Sequence, residues 1–564
     1  MSTQSTRRLR RSGWRVVVPA AATALTGALI AAGPASAATH GRFGSHQPWF
    51  EPGNLVVSGS VYTGQPSLFT PGVTQLPPGC AGPACAAANA DGSYPGVFDN
   101  DLVDPSFGVT SPIFLDQLTP DGRLVNVLRV PDGTGWGGNG RSSTGADHVV
   151  TSFSSKSEIA LNLSTNGRDL TFMGYDAVPD TVDVSNSNTP GVIDPTDPVS
   201  SAYYRVVAEV SENGRIHYTL TNAYSGNNGR AAILNNSDGN DVVYTAGNAG
   251  NGGNPQPDGI IIGGGAQILT AQRAPERVQT PGQPTPVGSF NVTQLGDKID
   301  KIGKDTNFRG LTISDNVVYF TKGSGSNGVN TVYFIDTTGT ACPSGSGLPQ
   351  PGAALPTSPI AYNAADLQTA GVTPYNMCVL QGFPTTLAKT STAFPFGLWF
   401  ANADTLYVAD EGNGDATFDP STGTYAAAAA QTTAGLQKWV FDGTSWKLAY
   451  TLSAGLNLGT PYSVRGYPTG DNSATGLPWA PATDGLRNIT GRVNPNGTAT
   501  IWAITSTVSG GGDQGADPNK LVAITDPLTA TGPGAREAFV TVRSAGYGEV
   551  LRGVSFAPGT RRAG

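Results

Sequence analysis

The feature that most limits what this chain can fold into is a plan that recurs: four short β-type stretches, a break, then four more. "FGLWFAN" and "TLYVADEG" (395–412 with the preceding Pro), "GLQKWVFDG" (435–443) and "SWKLAYTLS" (445–453) form one set, and Asp442-Gly443 supplies the last hairpin turn. "RNITGRVN" (487–494), "TATIWAITS" (498–506), "NKLVAITD" (519–526) and "AFVTVRSA" (538–545) form the next. Upstream, "FRGLTIS" (308–314), "NVVYFTKG" (316–323), "NTVYFID" (330–336) and "NMCVLQGF" (376–383) repeat it. So do "SEIALNLS" (157–164), "RDLTFMGYD" (168–176), "YRVVAEVS" (204–211) and "RIHYTLTNA" (215–223), and a further set runs from "RAAILNN" (230–236) to "GSFNVTQLG" (288–296). Each stretch is rich in β-branched and aromatic residues and is bounded by Gly, Asn, Asp or Pro, the composition of strands joined by turns. With 75 Gly and 42 Pro in 564 residues, long helices are excluded.

One apolar residue in each first strand gives Ile159, Ile233, Leu311, Leu398, Ile489 and Val554, at intervals of 74, 78, 87, 91 and 65 residues. These exceed the ~40–50 of compact four-stranded repeats, so the units carry long inserted loops. The last first strand, "LRGVSFAP" (551–558), has no partners after it. Its missing three are expected near the N-terminus: "NLVVSGSVY" (54–62), "IFLDQLTP" (113–120) and "RLVNVLRVP" (123–131). The expectation is an all-β, six-bladed β-propeller of four-stranded antiparallel blades, its ring closed by strands from both termini so that no edge is left open. It spans residues 54–558 as one domain, with loop insertions at 63–111, 337–375 and 411–434, a lead at 38–53 and a tail at 559–564.

One blade carries a more specific pattern. Pro395, Phe396, Gly397 and Leu398, then Tyr407, Val408, Ala409, Asp410, Gly412 and Asn413, resemble the NHL-type repeat, in which Pro-x-Gly-Leu leads into "YVADSGN". The resemblance implies propeller architecture and no particular activity. Asp410 is expected to cap the end of its strand.

The first 37 residues read as a secretory signal peptide. Arg7, Arg8, Arg10 and Arg11 form a basic start, "VVVPAAATALTGALIAAG" (16–33) is apolar, and Ala35-Ser36-Ala37 offers a cleavage site. Nothing later is long and apolar enough to span a bilayer as a helix. Four cysteines fit an exported chain, with Cys80–Cys85 and Cys342–Cys378 the simplest of three pairings. His40, His46, His148 and His217 have no zinc-ligand spacing to them. A net charge of −8 removes the basic face that nucleic-acid binding needs.

Residues just ahead of each innermost propeller strand reach the mouth of the central channel. Here they are Lys156, Arg230, Arg309, Phe396, Arg487 and Arg552. Five cations in a chain with 33 Lys and Arg suit a carboxylate, sulfate or phosphate ligand. The competing reading is that Asp305, Asp484 and Glu549, three or four residues before Arg309, Arg487 and Arg552, neutralise them. A third reading follows from six-bladed propellers that resemble lactonases or phytases. Asp305, Asp484, Asn488 and Glu549 would then hold calcium for a metal-assisted hydrolase, although no DxDxDG-like loop is present. No GxSxG elbow supports a serine hydrolase. The primary expectation is a secreted, monomeric, non-catalytic propeller without a cofactor. It presents a ligand- or partner-binding face, with an anionic ligand at the channel mouth.

Overall fold

Strand after strand forms where the sequence alternates β-branched and aromatic residues between turn formers, and the strands gather in quartets. In the computed structural model the described residues are 49–62, 73, 75–76, 86–87, 108–133, 148–153, 155–193, 201–248, 265–272, 286–288, 290, 292–296, 307–325, 328–360, 376–472, 475–511 and 515–560. The signal segment, Cys80, Cys85 and Asp305 lie outside them. By backbone contacts residues 47–564 cluster as one unit, separate from 1–46.

Counting from the chain's first strand, the first quartet is Glu549–Phe556, Leu55–Val61, Thr110–Leu118 and Leu124–Arg129, each antiparallel to the next. The second is Asn162–Leu163, Asp169–Asp176, Arg205–Ser211 and Ile216–Thr221. The third is Gly229–Asn235, Val242–Gly247, Ala266–Thr270 and Pro286–Gly288. The fourth is Leu311–Ser314, Val317–Lys322, Thr331–Ile335 and Met377–Leu380, with Ser346–Gly347 added parallel at its edge. Pro395–Asn402, Thr405–Asp410, Gly435–Phe441 and Trp446–Leu452 make the fifth. Ala482–Val493, Thr498–Val508, Lys520–Pro527 and Val540–Ser544 make the sixth. The fold is all-β and propeller-like; among the described residues the α-helix is one turn, Ala426–Ala429.

The separate sheets number four, the third to sixth quartets, where the sequence led us to expect six. The first two quartets fuse into one nine-stranded sheet because Val149–Ser152, a strand the sequence reading missed, pairs with both Thr110–Leu118 and Asp169–Asp176. The expected strand 157–164 shrinks to Asn162–Leu163. Its cause is local: Ile159 has φ 50°, which breaks the extended run, and the Glu158 carboxylate is held by Thr151 Oγ1 (2.7 Å) and the Ser152 amide (2.9 Å).

Neighbouring quartets meet where the first or second strand of one lies against the leading segment of the next. Ser58 Oγ donates to Ile159 O (2.6 Å), Thr171 Oγ1 to Ala232 O (2.5 Å), and Arg230 Nη1 to Phe308 O (3.0 Å). Thr321 Oγ1 donates to Phe396 O, and Asn488 Oδ1 accepts from the Val554 amide (2.6 Å). Between the fifth and sixth, Gly397 packs so tightly that a Cβ there would stand 2.5 Å from Arg487 O, which is why the position takes glycine. Apolar side chains fill the spaces between sheets, as where Tyr319 meets Phe400 (4.7 Å) and Trp502 meets Phe556 (5.5 Å).

Candidate functional site

Where the chain enters its first strands, Lys156, Arg309, Phe394, Glu411, Asp484 and Arg487 line a cavity of about 200 Å³. Arg309 immediately precedes the fourth quartet's first strand, and Arg487 lies within that of the sixth. Glu411 follows the second strand of the fifth, where its amide bonds Phe394 O (3.0 Å). The three converge. Arg487 Nε stands 3.2 Å from Glu411 Oε2, and Arg309 Nη2 3.7 Å from Oε1. Arg309 is fixed further by Ser324 Oγ (3.0 Å from Nε) and Ser157 Oγ (3.1 Å from Nη1), and it lies 5.5 Å over the Phe396 ring.

Charge at this cluster is unbalanced in favour of cations. Burial pushes the Glu411 carboxyl up, but Arg309, Arg487 and Lys156 outweigh it and hold the group below its usual range. Burial lowers Arg309, and Glu411 opposes that shift while Arg487 adds to it. Arg230 is pulled down strongly by burial and by repulsion from Arg309. Two acids nearby are pushed towards neutrality. Burial raises Asp484 to about 7 against bonds from the Gly414 amide (2.8 Å) and Gln431 Nε2 (2.6 Å). Burial likewise raises Asp410 to about 7 despite amides from Phe394 (2.8 Å) and Gly412 (3.0 Å), bonds with which it ties off the end of its strand.

Of the five cations expected at the mouth, the structure brings Lys156, Arg309 and Arg487 into one cavity. Arg230 is engaged with Phe308 O and Asn228 Oδ1 (3.1 Å), and Arg552 donates to Phe153 O. The ion pairs anticipated for Arg487 with Asp484 and Arg552 with Glu549 do not form. Asp484 is taken up by the Gly414 amide and Gln431 Nε2, and Arg487 turns to Glu411 in the same cavity. Glu549 instead meets Arg543 (3.0 Å), which also meets Asp116 (2.6 Å). The acid that the arginines do meet, Glu411, was missed; its signal was the second acid of "ADEGNG" in the NHL-like blade.

Of the set considered for calcium, Asp484 is held by the Gly414 amide, Asn488 by the Val554 amide and Glu549 by Arg543 and the Gly546 amide, and Asp305 lies outside the described residues. Among the described residues, the group of metal-ligand type is Asp336, Cys342 and Cys378, and the two cysteines are joined as a disulfide (Cα–Cα 5.6 Å).

No protein-family profile matches the chain, and no curated protein matches it. Similar solved structures include an acylaminoacyl peptidase in complex with Z-Gly-Gly-Phe-chloromethyl ketone, at 6% identity and TM-score 0.27 over 77% of this chain and 41% of that one. Another is the Pyrococcus horikoshii acylaminoacyl peptidase in an orthorhombic crystal form, at 6% identity and TM-score 0.26 over 78% and 48%. The chain spans less than half the length of either.

Proposed function

We propose that this chain is an exported, non-catalytic β-propeller of six NHL-like blades that holds a small anionic ligand at its channel mouth. Six strand quartets, hydrogen-bonded from one to the next, and the pairing of the C-terminal strand with Leu55–Val61 support the six-bladed, closed reading. The basic start and apolar run of residues 1–37 support export.

The observation that carries the ligand reading is the ratio at the mouth: three cations, Lys156, Arg309 and Arg487, act on the single carboxylate of Glu411. Mutual repulsion raises the free energy of the empty cluster, and a bound anion relieves it. The cavity of about 200 Å³ admits a carboxylate, sulfate or phosphate and little more. Guanidinium groups suit such oxyanions through forked hydrogen bonds.

Calorimetric titration with phosphate, sulfate and citrate tests this. Binding should weaken with added salt, because charges are screened over ~10 Å at 0.1 M. Arg487→Gln should lower the affinity about tenfold or more, the loss of one charge-assisted contact. Its stability should change little, since Glu411 keeps Arg309 and Lys156. Absence of binding by the wild-type protein, together with a large stability loss in Arg487→Gln, would make the cluster purely structural.

A further inference from the structure

A second, larger cavity of about 1020 Å³ lies at the opposite ends of the same strands. It shares no lining residue with the cationic mouth. All six first strands reach it, with Phe556, Leu163, Asn235, Ile313, Phe400 and Thr490. Its size is at the upper limit of the ~300–1000 Å³ usual for small-molecule sites, so it exceeds what one small ring would fill.

The lining chemistry differs from that of the mouth. Charged side chains are Asp315 and Arg492, one of each sign, and the other polar groups are hydroxyls and carboxamides. The half-buried hydroxyl residues Thr312, Ser314 and Thr490 make no side-chain hydrogen bond to any described residue. Aromatic surface stands beside them. Trp399 and Phe400 line the cavity half-buried, and Trp399 is braced by stacking on Tyr407 (5.9 Å). Gly491 leaves the room the indole needs, because a Cβ there would lie 2.5 Å from Trp399 Cε3.

A covered wall completes the site. Ala354 and Leu355, from the long insertion of the fourth quartet, also line the cavity. The insertion is secured by the Cys342–Cys378 disulfide at its base and by Tyr244, whose hydroxyl donates to Pro356 O (2.5 Å). An otherwise unexplained loop thereby acquires a place in a binding surface.

From these features we infer that the wide cavity binds a neutral oligosaccharide, independently of the anion at the other end. A pyranose presents apolar C–H faces and a rim of hydroxyls. It therefore requires flat aromatic surface together with uncharged groups that both donate and accept, the pairing offered by Trp399 with Thr312, Ser314 and Thr490. The lining has no net charge to select a charged ligand, with Asp315 and Arg492 of opposite sign. A wholly apolar one would strand the free hydroxyls.

The test is titration of the full chain with a panel of neutral trisaccharides (maltotriose, cellotriose, xylotriose and chitotriose), read by tryptophan fluorescence and calorimetry up to ~10 mM. At least one should bind, with an affinity unchanged by added salt and by saturating phosphate. The double variant Thr312→Val/Thr490→Val keeps side-chain shape and should weaken that binding about tenfold while the melting temperature holds, as expected for two lost hydrogen bonds. Trp399→Ala should abolish both the binding and the fluorescence change. The inference is overturned if no trisaccharide binds. It is equally overturned if binding survives the double variant and Trp399→Ala, or if phosphate displaces the sugar, which would place it at the cationic mouth.

Discussion

Replacing Asp484 by asparagine offers the sharpest check on the electrostatics of the mouth. The residue is 2% exposed, and burial raises its carboxyl from 3.8 to about 7. Between those values the folded protein keeps a proton that the unfolded chain has released. Stability is therefore fully present below about pH 4 and is lost as pH rises through about 7. A shift of about three units at ~1.4 kcal/mol each makes that loss about 4 kcal/mol. Asparagine cannot ionise, so the variant loses this share of the pH dependence. It also has one acceptor oxygen where aspartate presents two, to the Gly414 amide and to Gln431, which costs ~1 kcal/mol. Asp484→Asn is thus expected to be about 1 kcal/mol less stable than wild type near pH 3 and about 3 kcal/mol more stable near pH 8. Guanidinium denaturation at a series of pH values measures both. Residual slope from Asp410, also raised to about 7, and from Asp116 and Asp517, raised to about 6, should persist in both proteins. Parallel profiles for variant and wild type would refute the assignment of a largely protonated Asp484 beside the arginines.

Lys438→Met should cost about 3–5 kcal/mol in denaturation, because Lys438 Nζ lies 3.0 Å from Asp526 with both side chains fully buried, and the change leaves a carboxylate without its cation. Adding Asp526→Asn should recover part of that loss; no recovery would mean that the tyrosines at 407 and 450, not charge, set the cost. Gly397→Ala should lower stability by about 1–3 kcal/mol and weaken anion binding together, since its methyl would meet Arg487 O at 2.5 Å and part the fifth and sixth quartets at the mouth. Unchanged thermal unfolding would show that the two strands approach less closely than drawn.

Strands were legible where pattern alone decides them. "TVYFI" and "NVVYFTK" are runs of β-branched and aromatic residues closed by turn formers, and they appear as Thr331–Ile335 and Val317–Lys322. Asp315-Asn316, between Leu311–Ser314 and Val317–Lys322, adopts φ of 46° and 60°, as a two-residue hairpin requires. The pairing of the C-terminal strand with Leu55–Val61 was legible because "LRGVSFAP" had no partner behind it. Val149–Ser152 was not, since a four-residue strand between long Gly-rich stretches has too little period to stand out. At the mouth, the convergence of Lys156, Arg309 and Arg487 was legible from their recurring place in the repeated plan. Glu411 was hidden because its partners are 76 and 102 positions away in sequence, and local spacing pointed instead to acids such as Asp484 that other groups hold.

The two cavities owe their different chemistry to where along a strand a residue falls. At the entry end, side chains ahead of the strand are not committed to packing between sheets, so arginines occur there and buy close approach with hydrogen bonds to serines and carbonyls. Between the two ends, Gly310, Gly397 and Gly553 bring neighbouring backbones together; a Cβ at any of them would stand within 2.6 Å of a backbone atom of the next quartet's leading segment. Farther along, the same strands line the cavity of about 1020 Å³. At the exit end apolar residues such as Leu163, Ile313 and Phe556 line the cavity together with Thr, Ser and Asn, and the charged lining residues are one of each sign, leaving a surface without net charge. Arg487 and Thr490 are three residues apart on one strand, yet they line different cavities. An anion that neutralises the excess positive charge of the mouth therefore has little to act on at the other end, where the lining carries one charge of each sign and no net charge.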